Sequence, residues 1–276
     1  MGTGQDIFEN VSVKPFRYRD SIVLADIDSV FNFSHHTSGY IMKQETKDFT
    51  FATIDDGPGK FTEYILYRNP NSYGFGIAQI EHPFDTDIID VTHFNITKGE
   101  SGFGDINRDY KSFIKYVRST EVSGVDLVAA NYNYNETKKG FVARLLTALG
   151  TVKIGGTFIC KISNIKDPIM IQLLYITSEC FSKVTLFKPV STPMFSNLYL
   201  NSYYIIAEGA NKNNIEWISY LGKYVDRLDE MKIEVDNNFV NWIQDYLVLM
   251  ADYVNFISEN EIDTYKCKAI WNLPQL

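Results

Sequence analysis

Phe49-Thr50-Phe51-Ala52-Thr53-Ile54-Asp55-Asp56-Gly57-Pro58-Gly59-Lys60-Phe61-Thr62-Glu63-Tyr64-Ile65-Leu66-Tyr67 is the stretch on which the fold turns. Phe49 to Ile54 is a β-branched and aromatic run, which reads as a strand. Gly57-Pro58-Gly59 ends it, because neither residue type sustains a ladder. Phe61, Tyr64 and Ile65 then recur at helical spacing. The stretch is therefore strand, Gly-rich turn, helix. Such a turn lets backbone approach a ligand closely. A dinucleotide fingerprint would need a third Gly, and a P-loop would need Ser or Thr after Lys60, where Phe61 stands. A zwitterionic, sulfonium-bearing ligand suits the loop better, since Asp55 and Asp56 can meet cationic ends. A plain turn is the simpler alternative.

Outward from this unit, strand and helix alternate. Tyr73 to Ile80 reads as a second strand and Ile88 to Ile96 as a third. Arg108 to Arg118 puts Tyr110, Phe113, Ile114 and Val117 on one helical face. Val125 to Ala130 is an apolar strand. Asn135 is placed to cap a helix with the stripe Phe141, Leu145, Leu146, Leu149 and Val152. Gly155-Gly156 turns the chain into a buried strand, Thr157 to Ile162. Pro168 opens a helix through Cys180. Val184 to Phe187 and Tyr203 to Ala207 form a closing hairpin. This order predicts an α/β fold, with a mostly parallel sheet and helices on both faces. Ligands of such sheets bind beyond the carboxyl ends of the strands. Ser21 to Asp28 reads as a short strand or extended arm. After Gly209 the pattern becomes helical over Ile215 to Met231, Phe239 to Ile257 and Glu261 to Ile270. The expected organisation is an N-terminal arm (1–48), an α/β domain (49–210) and a C-terminal helical extension (211–276) that covers the sheet or meets a partner.

The 276 residues carry a net charge of −8. A nucleic-acid ligand would therefore need a local basic patch or a basic partner. The three cysteines, Cys160, Cys180 and Cys267, form neither a metal spacing nor an even disulfide set, as in a reducing compartment. No signal peptide or apolar span of membrane length is found, so an intracellular, non-membrane protein is expected. His35-His36, His82 and His93 make no metal set.

Several segments carry a resemblance. Asp56 to Leu66 looks like the cofactor loop of the FtsJ-like RNA methyltransferases, specifically the mRNA cap ribose 2′-O-methyltransferases. Gly104-Asp105-Ile106 resembles that family's acidic adenosine-side motif. Gly155 to Lys161 resembles its strand ending in an active-site Lys. Leu186 to Ser191 resembles the segment before its last hairpin, and Lys266 to Pro274 its C-terminal Cys, Trp and Pro pattern. The resemblance implies a Rossmann-like S-adenosylmethionine-dependent methyltransferase fold with a terminal hairpin and added C-terminal helices. It implies cofactor contacts from Asp55, Asp56, Gly57, Pro58, Gly59, Phe61 and Asp105, and no metal.

It also implies methyl transfer to a ribose 2′-hydroxyl by a Lys-Asp-Lys-Glu tetrad, in which a Lys of lowered pKa deprotonates or orients the hydroxyl and carboxylates hold it. Lys161 matches the second Lys. Lys43 or Lys47 falls where the first would lie. The Asp position holds Ala130 or Asn131, and the Glu position Asn197 or Ser202, none of them acidic. The expectation is a cap 2′-O-methyltransferase-like protein, degenerate at the tetrad, that binds S-adenosylmethionine or capped RNA as a subunit of a capping or RNA-processing complex. Such a pseudoenzyme would act in the cytoplasm or, if viral, in a virus factory or virion. The alternative is an active enzyme with an altered site.

Overall fold

The structure, a computed structural model, describes residues 13–34, 49–132, 137–192, 202–212, 214–259, 262–271 and 273. In chain order the elements are α1 (Arg19–Phe31), β1 (Thr50–Ile54), α2 (Lys60–Arg68), β2 (Tyr73–Ile77), β3 (Phe94–Thr97), α3 (Ile106–Thr120), β4 (Val125–Ala130), α4 (Lys138–Thr151), β5 (Val152–Ser163), α5 (Pro168–Cys180), β6 (Phe181–Phe187), β7 (Ser202–Ala210), α6 (Asn214–Tyr224), a single 3-10 turn (Leu228–Glu230), α7 (Asn237–Glu259) and α8 (Thr264–Ile270).

The seven strands form one sheet in the order β3-β2-β1-β4-β5-β7-β6. The first five pair in parallel, and β7 runs antiparallel to both β5 and β6. This is the Rossmann-like methyltransferase architecture, with the hairpin of β6 and β7 closing one edge. The order reverses between β1 and β4, the switch point where such sheets bind ligands.

Strand side chains alternate between two cores. Ala52, Ile54, Val128, Ala130, Phe158, Cys160 and Ile162 face the core built with α3, α4 and α5. Phe51, Leu127, Ala129 and Ile159 face the other, built with α1, α2, Trp271 and Leu273. By this period of two, Lys161 belongs to the Ile159 face, on the side of α1 and α2.

Four boundaries differ from expectation for physical reasons. Ser21–Asp28 is helix rather than strand or arm. Every residue from Ser21 to Asp28 is buried, so no amphipathic period shows in the sequence. The third strand begins only at Phe94, because 88–93 is a series of turns. Val152, expected at the end of a helical stripe, opens β5 instead. Helix α6 stops at Tyr224, well short of Met231. Thr137 caps α4 by accepting from the Gly140 amide, whereas Asn135 lies outside the described residues.

Candidate functional site

The β1–α2 loop is anchored by Asp56. Its buried carboxylate accepts from the Phe61 amide at 2.9 Å, the Thr62 amide at 2.8 Å and the Thr62 hydroxyl at 2.8 Å. These are first-turn donors of α2 that the helix itself cannot satisfy. Burial still pushes the Asp56 carboxyl up to about 7. Asp56 therefore works on its own helix. Gly59 has a φ of +114°, which a side chain rarely adopts, and a Cβ there would strike Ile89. A Cβ on Gly57 would strike the carbonyl oxygen of His82. The Pro58 carbonyl accepts from the Asp85 amide at 2.8 Å. Phe61 is fully buried in the core. The small residues of the loop thus pack against the chain from Ala78 to Ile89.

Asp55, one residue past β1, has a positive φ of +54°. Its Oδ2 lies 3.4 Å from the buried Arg144 guanidinium. Its buried Oδ1 has no hydrogen-bond partner. Burial pushes this carboxyl up to about 6, Arg144 pulls it down, and the nearby Asp105 raises it. Asp105 caps α3 through the Asn107 amide at 3.0 Å. With Gln79, Glu81, Phe103 and Arg108 it lines a concavity of about 250 Å³. An unpartnered acceptor on Asp55 and a carboxylate-lined hollow past β2 fit the hydroxyl-bearing nucleoside half of S-adenosylmethionine.

Lys161 lies near the end of β5, 6% exposed. Its Nζ sits 4.9 Å from the centre of the Tyr132 ring, a cation–π contact. Burial lowers its pKa, with Asp20 opposing and Lys60 reinforcing that shift. Asp20 comes from the first turn of α1. Its Oδ2 meets Lys60 Nζ at 3.2 Å and accepts from Asn131 Nδ2 at 3.2 Å. Burial alone would raise the Asp20 carboxyl, but Lys161, Lys60 and the Asn131 amide hold it below the ordinary value. Lys188 joins from the far end of β6. It donates to the Ser202 carbonyl at 3.0 Å, and burial, reinforced by Lys161, lowers its pKa to about 8. The Ser202 hydroxyl lies 3.4 Å from that of Tyr132.

Beyond the carboxyl ends of β1, β4 and β5 the fold therefore gathers Asp20, Lys60, Asn131, Tyr132, Lys161 and Lys188. Of the expected tetrad positions, Lys161, Asn131 and Ser202 come to this site. Ala130 faces the opposite core. Lys43, Lys47 and Asn197 lie outside the described residues. The sequence had offered no acid to replace the missing Asp; Asp20 does so in space, hydrogen-bonded to the Asn131 that stands in the Asp's place. Lys60, Lys188 and Tyr132 were also missed. Lys60 and Lys188 lie inside segments quoted for the resemblance and Tyr132 directly follows Asn131, but no local spacing joins them to Lys161. Among the described residues, no group of three or more His, Cys, Asp or Glu side chains could hold a metal ion, and no helix is long and apolar enough to cross a membrane.

Five parallel strands closed by an antiparallel hairpin, with a Gly-Pro-Gly loop at the switch point, are the fold class of the Rossmann-like methyltransferases. Residues 16–202 match the FtsJ-like methyltransferase family, and the chain belongs to it. It is similar to cap-specific mRNA (nucleoside-2′-O-)-methyltransferase 1 of Drosophila melanogaster, 25% identical over 92% of this chain and 36% of that one. Similarity to the Homo sapiens protein of the same name is 30% over 67% of this chain and 26% of that one. The chain thus spans about a third or less of the length of these relatives. Among solved structures it is similar to a probable spermidine synthase from Corynebacterium glutamicum, with a TM-score of 0.46, 11% identity and coverage of 80% of this chain and 82% of that one. A fibrillarin/Nop5p complex chain gives a TM-score of 0.41 at 12% identity, covering 64% of this chain and 79% of that one.

Proposed function

We propose that this FtsJ-like chain is a catalytically degenerate relative of the cap 2′-O-methyltransferases, acting as a nucleoside- and RNA-binding subunit of a capping complex in the cytoplasm. The observation that carries this reading is the sharing of Asp20. Asn131 replaces the carboxylate expected at the end of β4, and the acid that takes over serves Lys60 as well as Lys161. A base for a ribose hydroxyl needs a dedicated orienting partner. A hydrogen bond to a charged group contributes about 1.5–3 kcal/mol, and about 1.4 kcal/mol is tenfold in rate. Dividing one carboxylate between two ammonium groups and dispensing with the second therefore costs rate steeply. The hollow beside Asp105 supports retention of the nucleoside end.

A second reading has one observation in its favour. Asp20 restores a carboxylate near a Lys161 whose pKa is lowered, which favours an active 2′-O-methyltransferase with a rearranged site. Calorimetric titration with S-adenosylmethionine and its demethylated product, paired with methyl transfer from labelled cofactor to capped RNA, separates the two. Nucleoside binding without transfer is expected. Transfer that disappears in Lys161→Ala would establish the second reading in its place, and no binding of either compound would leave a purely structural subunit.

A further inference from the structure

Helix α7 presents two faces of opposite fate. Ile243 and Ile257 are buried, and Phe239, Tyr246, Leu247 and Met250 pack against the core on one side of the sheet. Phe239 meets the Tyr175 ring at 5.3 Å, and Tyr246 meets Tyr203 at 5.9 Å. Beside this buried face runs a second apolar stripe. Trp242, Leu249 and Phe256 recur at seven-residue intervals and are 36%, 62% and 59% exposed. Seven residues are two turns less about 20°, so the three lie on one gently winding line, about 21 Å long at 1.5 Å per residue. With one apolar residue per heptad, the line is a single ridge, half of a coiled-coil repeat, which can seat in the groove of a second helix.

The charge beside the seam is of one sign. Asp245 and Asp252 each follow a seam residue by three positions, which puts them along its outer edge. The 23 residues of α7 include no Lys and no Arg, and the chain as a whole carries −8. A second copy of this chain laid seam to seam would bring these aspartates toward their counterparts at a cost. RNA is repelled by the same charge. We infer that this stripe docks a protein partner through an amphipathic helix whose apolar ridge is flanked by Lys or Arg. The inference stands apart from the nucleoside site and holds whether or not that site is catalytic.

Two synthetic helical peptides with the same Leu heptad seam, one flanked by Lys and one by Glu, test it by fluorescence anisotropy against the intact protein. The Lys-flanked peptide is expected to bind at least about tenfold more tightly, with affinity falling as salt rises. Leu249→Ser with Phe256→Ser leaves the protein's charge unchanged and is expected to weaken binding about tenfold or more. Asp245→Asn with Asp252→Asn should weaken it severalfold and flatten the salt dependence. These side chains are exposed, so unchanged melting temperatures will show the variants folded. Equal binding of both peptides would overturn the inference, as would binding indifferent to the serine variants. A wild-type dimer in sedimentation that the serine variants convert to monomer would also overturn it, by naming a second copy as the occupant.

Discussion

Asp55 holds several burdens at one position: a left-handed φ, a like-charged neighbour in Asp105, and a buried oxygen without a donor. Its folded pKa of about 6 lies above the 3.8 of an unperturbed Asp. The folded state therefore keeps its proton over a range where the unfolded chain has lost it. Stability from this residue is full below about pH 4 and is lost as pH rises toward 6. Asparagine tolerates a positive φ and cannot ionise. We therefore expect Asp55→Asn to gain on the wild type by on the order of 2 kcal/mol between pH 4 and pH 7. Urea unfolding at both pH values reads this directly; a difference that stays flat with pH would show that Asp55 ionises as freely when folded as when unfolded. Residues of this kind were legible in the sequence, since Asp55 stands between a strand and a Gly-Pro-Gly turn. Asp20 was not. An acid in the first turn of a helix has an ordinary role beside the helix dipole, and only the packing of α1 on α2 brings it to Lys60 and Asn131.

At the scale of elements, most of the parallel strands and their helices could be read because apolar runs are bounded by Gly, Pro or Asp signals, as with α5, which Pro168 opens. Helix α1 escaped because its partners are scattered along the chain, from Ser34 to Trp271. Asp26, buried on α1, accepts from the Ser191 amide at 3.0 Å, the Ser191 hydroxyl at 2.9 Å and the Trp271 indole at 3.1 Å. Asp28 accepts from the Tyr64 hydroxyl at 2.7 Å and the Ser34 amide at 3.0 Å. Two acids inside an apolar run resemble an amphipathic break until these donors are known. Burial raises the Asp26 carboxyl against all of its donors, so the loss of one is felt. Trp271→Phe keeps most of the aromatic volume but removes the N–H. It should destabilise the fold by about 1–3 kcal/mol, the cost of a buried acceptor left short of a donor. Hydrogen exchange should show α1 amides losing protection along with those of α8. Loss confined to α8 would mean that α2 and the Ser191 donors hold α1 without Trp271.

Over the whole molecule, the C-terminal helices decide how far the folding unit extends. The family match ends at residue 202, and the change of pattern after Gly209 leaves a helical extension that either covers the sheet or meets a partner. The packing of its buried residues favours the cover. Leu221, Val225, Met231 and Ile243 are buried in the same core as α3, α4 and the sheet, and the Ile233 amide donates to Gln172 of α5 at 2.9 Å. Composition could not reveal this, because an apolar helix face looks the same whether it covers its own sheet or a partner's. Four buried aliphatic side chains at about 1.5–3 kcal/mol each amount to much of the 5–15 kcal/mol that holds a typical domain together. A chain ending at Asn213 is therefore expected to unfold at a much lower temperature than the full chain, or to bind the apolar dye ANS as a loosened state. The intact protein should melt in one cooperative transition. Two resolved transitions in its calorimetric trace, the first absent from the shortened chain, would instead show that α6 and α7 fold as a unit of their own.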